Sequence, residues 1–257
     1  MTATLTRTVD DGVLTLVLNR PGKRNALDAV LAESLSQAFT DAAEGSPDIR
    51  AVLLTGEGPA FCAGDDLAAT ARWQNRDYTG TPNHPDTREH LYLTLCRQML
   101  ELPLPVVVAV NGPALGAGLS LVCAADYRVA ARHATFASPA LDHGHIGDAA
   151  LLTRTVGPAR ATHLYLSGER LSAERAAAYG LVDHVVADDQ LHRTATTAAA
   201  RLADRSTQAI AMFKSLRERV WHTPTDTAIV FQDRSHHLSH RHRYETDQAR
   251  QTTGDRV

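Results

Sequence analysis

The chain has 257 residues with 26 basic and 29 acidic side chains, a formal net charge of −3, so no basic excess points to a nucleic-acid surface and any phosphate site must be local. Its apolar and charged fractions, 44% and 21%, suit a soluble globular protein of one large domain, or one domain with a small appendage, and exclude a largely disordered chain. Cys62, Cys96 and Cys123 lack metal-ligand spacing, Met1 to Asn19 lack the basic region and apolar core of a secretory signal, and no apolar run has the length of a membrane span. A reduced, cytoplasmic protein with no membrane partner is therefore expected.

Val13 to Leu18 reads as a strand between the turn signals Asp10-Asp11-Gly12 and Asn19-Arg20-Pro21-Gly22. Leu27, Leu31, Leu35, Phe39 and Ala42 then recur at helical spacing behind Asp28, a fitting N-cap. Ala51 to Thr55 is a second strand, and Leu91, Leu95 and Met99 mark a second helix after a polar insert from Trp73 to Thr87, expected as a surface loop. Val106 to Val110 is a third strand, followed by a helix over Leu119 to Ala125. Strands alternating with helices imply crossover connections and a mostly buried sheet.

From Ala149 onward the pattern reads as nearly all helical, with alanine-rich stretches at Ala173 to Ala178 and Ala195 to Ala203. The final forty residues read as a helical tail rich in histidine, with His222, His236, His237, His240 and His242. His236 and His240 are four apart, but no acidic or cysteine partner stands beside them, so a solvated polar helix is expected and no metal site.

Two segments carry the chemistry. Phe61-Cys62-Ala63-Gly64-Asp65-Asp66-Leu67 and Asn111-Gly112-Pro113-Ala114-Leu115-Gly116-Ala117-Gly118-Leu119-Ser120 each follow a β-branched run and each end where an apolar helix could begin. A strand-to-helix turn leaves the first helical N–H groups without intrahelical acceptors, and glycine admits a ligand close to the main chain. Two such turns side by side could aim two N–H donors at one oxygen, the requirement for stabilising an oxyanion.

These two segments, with Asn19-Arg20-Pro21-Gly22-Lys23-Arg24-Asn25-Ala26-Leu27 before them and Gly180-Leu181-Val182-Asp183 after, resemble the crotonase superfamily, the enoyl-CoA hydratase/isomerase fold, over roughly residues 10 to 220. The resemblance implies an α/β fold, a spiral of repeated β-β-α units over residues 1–200, with a C-terminal helical region over 201–257 that packs against neighbouring subunits as a homotrimer or a dimer of trimers. It implies backbone donors at Asp65 and Ala117, beside Gly64 and Gly116. It also implies a coenzyme A site in which Lys23 and Arg24 lie near the phosphates and the main chain at Ala26, Ala63 and Leu67 borders the adenine and pantetheine. Coenzyme A is then part of the substrate, an acyl-CoA or acyl-carrier thioester, and no prosthetic group is implied.

The sequence departs from the hydratases of that superfamily at both of their glutamates. Ser120 stands at the first place, and Ala140, after Ser138-Pro139, at the second. An unactivated hydroxyl is no general base near neutral pH and a methyl group is none at any pH, so simple hydration by two carboxylates is disfavoured. Ser120 either takes part in the chemistry or is a small residue beside the turn.

The remaining acid/base groups lie in Leu141-Asp142-His143-Gly144-His145-Ile146-Gly147-Asp148, which matches the family loop over the reacting carbons. Asp148 stands four residues after Gly144, an offset resembling the nucleophilic aspartate of 4-chlorobenzoyl-CoA dehalogenases, although their aromatic clamp is missing here. A carboxylate against an apolar acyl pocket could act as base, acid or nucleophile; the competing role is to cap a helix beginning at Ala149. His143 and His145 are either proton carriers or loop histidines bonded to backbone.

The function expected is an acyl-CoA-processing enzyme, an isomerase, hydrolase or carbon–carbon lyase rather than a simple hydratase. The alternatives are a tailoring enzyme of specialised metabolism performing cyclisation or elimination on an unusual acyl group, and a homologue that binds a thioester or partner without turnover.

Overall fold

The computed structural model of the chain describes residues 3–44, 48–67, 91–143, 147, 149–221 and 223–235. β1 (Leu5–Asp10) and β2 (Val13–Leu18) pair antiparallel in full register about Asp11 and Gly12, whose φ values of 45° and 78° give the two-residue turn that matches strand twist. β2 then pairs in parallel with β3 (Ala51–Gly56), and β3 with β4 (Val106–Val110). β6 (Tyr127–Ala131) and β9 (His184–Val186) extend the sheet, which has the order β1-β2-β3-β4-β6-β9. A second sheet joins β5 (Ala114–Leu115), β7 (Thr135–Ala137) and β8 (Leu171–Ser172) in the order β5-β7-β8.

Both faces of the larger sheet are buried along its central strands β3 and β4, and the period-two alternation of the strands sorts side chains between them. Leu14, Leu16, Leu18, Val52, Leu54, Val106, Val108 and Val110 face one core. Against it lie α1 (Ala29–Ala43), α2 (Leu91–Glu101) and α3 (Ala117–Ala124). Asp28 caps α1, its carboxylate accepting from the Leu31 amide at 2.9 Å. Val13, Ala51, Leu53, Val107 and Ala109 face the other core, covered by α7 (Leu191–Ala203) through Leu191, Ala195, Ala199 and Ala203. That four-residue spacing of small side chains forms one stripe, and its methyl groups let the helix lie close to the sheet.

The region beyond Ala149 corrects the nearly all-helical expectation. α4 (Ala149–Val156), α5 (Pro158–Ser167), α6 (Ala173–Ala178), α7 and α8 (Thr207–Val220) are helical, as are residues 225–235. Between them, however, β8 and β9 join the two sheets. Strands of two and three residues are too short to carry a period of their own. α7 runs across residue 200 and ends at Ala203, so its apolar stripe belongs to the sheet core rather than to the tail. The insert at 73–87 and the histidines at 222, 236, 237, 240 and 242 lie outside the described residues.

Candidate active site

The C-terminal ends of parallel strands are where ligands bind in α/β sheets, and there three segments are laced side by side. Segment 24–27 lies along 63–66: the Ala63 amide donates to the Arg24 carbonyl at 3.0 Å, Leu27 to Gly64 at 2.8 Å and Asp66 to Leu27 at 2.9 Å. Cys62 lies along 113–115, its amide donating to Pro113 at 3.1 Å while Leu115 donates to Cys62 at 3.0 Å. β7 continues the series, since the Gly116 amide donates to the Ala137 carbonyl at 3.1 Å. Arg24, Ala26, Ala63, Gly64, Asp65, Leu67, Gly116 and Ala117 thereby converge, with Ser120 one helical turn beyond Gly116.

Two glycines make the approach possible. Gly64 has φ +95°, and a methyl group built on it would lie 2.9 Å from the Leu115 carbonyl oxygen and 3.5 Å from the Ala117 amide nitrogen. The two turns are therefore in contact at Gly64. A methyl on Gly118 would lie 2.3 Å from the Cys62 carbonyl oxygen, so the first turn of α3 rests directly on the other segment. Gly116 starts α3 at φ 50°, ψ −120°, with no side chain capping the helix. Ala117 carries the first N–H of a helix whose residues are all buried, a donor without an intrahelical acceptor.

Lys23 and Arg24 are exposed beside this junction, as are Asp65 and Leu67. Cys62 sits between the turns, but burial pushes its thiol up to about 12, so it stays protonated and is no nucleophile at neutral pH. Ser120 is fully buried and Ala140 is 8% exposed, and no carboxylate is present at either position. The backbone of residues 141–143 makes a short 3-10 turn that includes His143. His145 and Asp148 lie outside the described residues.

Several residues that the sequence did not single out hold this junction together. Asn25, fully buried at φ 56°, accepts from the Arg20 amide at 2.8 Å and donates to the carbonyls of Glu57 at 2.9 Å and Ala60 at 2.8 Å. The Arg20 guanidinium bridges Asp28 at 3.0 Å and Asp66 at 2.9 Å and also donates to the Ala26 carbonyl. Asn111 accepts from Gly56 at 3.2 Å and donates to Gly58 at 2.9 Å. The readable signal is the residue type: asparagine tolerates positive φ and bonds backbone in turns, and both stand within the quoted segments.

Among the described residues, no group of three or more histidine, cysteine, aspartate or glutamate side chains could hold a metal ion, and no helix is long and apolar enough to cross a membrane. A cleft of about 600 Å³ between β9 and α7, lined by Tyr127, His184, Arg193, Arg201 and Arg205 among others, shares no residue with the converging segments.

Residues 8–251 match the family described as Enoyl-CoA hydratase/isomerase. The chain is 41% identical over 214 residues to the 1,2-epoxyphenylacetyl-CoA isomerase of Escherichia coli, covering 80% of this chain and 78% of that protein. Among solved structures, an enoyl-CoA hydratase of Mycobacterium smegmatis superposes with a TM-score of 0.82 at 31% identity, covering 92% of this chain and 90% of that one. An enoyl-CoA hydratase/isomerase of Marinobacter aquaeolei gives 0.85 at 27% identity, covering 93% and 91%.

Proposed function

Since the chain belongs to the enoyl-CoA hydratase/isomerase family, we propose that it is an acyl-CoA isomerase working through a thioester enolate. The amides of Asp65 and Ala117 donate to the thioester carbonyl oxygen. A base removes a proton from the carbon next to that carbonyl, the electron pair moves onto the carbonyl oxygen, and the proton returns at a carbon further along the acyl chain as the double bond shifts. Asp148 carries the proton, with His145 or His143 assisting. Lys23 and Arg24 meet the coenzyme A phosphates, and the main chain at Ala26, Ala63 and Leu67 borders the adenine and pantetheine.

The observation that carries this reading is the contact of Gly64 with residues 115–117 in a site with serine and alanine at 120 and 140. Paired amide donors serve any reaction through an oxyanion, whereas adding water across a double bond needs a group to activate the water. Supporting it, one relative is named as the isomerase of an epoxidised acyl-CoA. A trimer is part of the proposal, supported by exposed Phe213, Trp221, Ile229 and Val230 on the C-terminal helices, where unpartnered apolar side chains favour subunit contact.

The test is mass spectrometry of enoyl- and epoxyacyl-CoAs incubated in deuterated water with wild type, Asp148→Asn and His145→Ala. Isomerised product carrying deuterium, abolished by Asp148→Asn, is the expected outcome. Free acid or a shortened acyl group would instead identify hydrolysis or carbon–carbon cleavage. Coenzyme A binding with neither exchange nor product across the panel would overturn the reading in favour of a thioester-binding homologue.

A further inference from the structure

Ser138 is 1% exposed, and its hydroxyl finds no hydrogen-bond partner among the described residues. A buried polar atom left unsatisfied is rare in a folded protein and calls for a role. Its position narrows that role. β5 and β7 run in parallel, with Leu115 opposite Ala137, and the Ala137 carbonyl accepts from the Gly116 amide. Ser138, the next residue, therefore stands beside the turn that presents the Ala117 amide.

The other side of Ser138 is closed by Gly147. A methyl group on Gly147 would lie 2.3 Å from Cβ of Ala140 and 3.7 Å from Oγ of Ser138. One backbone position thus faces both the methyl that stands where hydratases carry their second glutamate and the orphan hydroxyl. Between these walls Ser138 supplies a donor that no described residue uses.

We propose that Ser138 is a specificity-determining residue whose hydroxyl donates to an oxygen atom carried by the acyl group itself, beyond the thioester carbonyl, so that the preferred substrates are oxygenated acyl thioesters. The inference rests on the acyl-CoA reading above. A site that offers a buried donor discriminates strongly against the analogue lacking the acceptor, since the donor is then left without a partner. The unpartnered state of the hydroxyl also separates this role from a structural one. Replacing a serine whose hydroxyl bonds none of the described residues costs no hydrogen bond among them.

The experiment measures deuterium exchange next to the thioester for an acyl-CoA bearing an epoxide or hydroxyl oxygen and for its deoxy counterpart, with wild type, Ser138→Ala and Ser138→Cys. Thermal melting of all three proteins is recorded alongside. Ser138→Ala is expected to lower kcat/KM for the oxygenated substrate about tenfold or more, while leaving the deoxy substrate within about twofold and the melting temperature unchanged or raised. Ser138→Cys, close in size with a weak donor, is expected to fall between. Equal loss on both substrates, or a lowered melting temperature in both variants, would overturn the proposal in favour of a structural serine, as would full activity on both. Absence of exchange by wild type on every acyl-CoA would instead overturn the acyl-CoA reading, and this inference with it.

Discussion

Single atoms decide whether the junction between the two turns survives. At Gly64 the positive φ and the 2.9 Å approach of the Leu115 carbonyl to a would-be methyl leave no room for alanine unless the turns part. Because the two proposed donors depend on that spacing, Gly64→Ala should lower kcat by about 100- to 1,000-fold, the cost of losing one oxyanion donor. Coenzyme A affinity, measured by calorimetry, should change far less; loss of both together would mean that the site had unfolded. Cys62 makes a separate prediction. Burial raises its thiol from an ordinary 9.0 to about 12, so between those values the folded state holds a proton that the unfolded state releases. Its contribution to stability is whole below about pH 9 and declines by about 1.4 kcal/mol per pH unit as pH rises toward about 12. The stability difference between wild type and Cys62→Ala, from urea unfolding at several alkaline pH values, should shrink along that slope. A difference independent of pH would refute it. Cys62, Cys96 and Cys123 are all buried and outside any disulfide, and iodoacetamide should label them only after denaturation.

At the scale of elements, the clamp on the first segment is the sharpest case. Asn25 makes three hydrogen bonds from a fully buried position, and Asn25→Ala would strand the Glu57 carbonyl and the Arg20 amide and leave the Ala60 carbonyl with Asn111 at 3.3 Å. Each group left unsatisfied costs about 1–3 kcal/mol, so a loss of about 2 kcal/mol or more is expected in urea unfolding, together with weaker coenzyme A binding as 24–27 comes away from 63–66. A loss under about 1 kcal/mol would show that water replaces the side chain. These elements also show what a sequence discloses. The strands β2, β3 and β4 and helix α1 with its Asp28 cap were legible because each buries a periodic apolar set behind a turn signal. β1 was not, since five of its six residues are exposed and its place depends on pairing with β2. β8 and β9 were not, because their existence depends on neighbours far along the chain. The glycine-rich turns were legible as turns, but their contact at Gly64 is set by the lacing of Cys62 to 113–115, which no local pattern encodes. Ser138 was invisible as a candidate because an unpaired hydroxyl is a property of its surroundings alone.

Over the whole molecule, α8 is fastened to the sheet by a charge buried in its middle. Lys214 is 3% exposed and donates to the carbonyls of Met99 at 3.0 Å and Leu104 at 2.9 Å and to the Asp126 carboxylate. Burial lowers its pKa despite the attraction of Asp126, so the ammonium is held there at a cost that those three bonds offset. Asp126 also accepts from the Val106 amide at 2.9 Å and from Arg217 at 2.9 Å. The chain continues from Arg217 to Glu218 at 3.0 Å and from Glu218 to Arg154 on α4 at 2.7 Å, while Arg154 covers the Trp221 ring at 4.9 Å. The same network therefore sets the angle of the C-terminal helices and braces α4, the helix that begins at Ala149 directly after the Asp148 segment. Removing one member of a buried ion pair typically costs about 3–5 kcal/mol because the partner is left without compensation. Lys214→Ala should accordingly lower the melting temperature by roughly 10 °C. It should also release Phe213 and Trp221 from the orientation that the proposed trimer requires, so light scattering on a sizing column should show dissociation at protein concentrations where wild type remains assembled. If the variant melts early yet keeps the wild-type mass, the network stabilises the subunit without governing assembly. If neither changes, the buried lysine is replaceable and α8 is held by its apolar contacts alone.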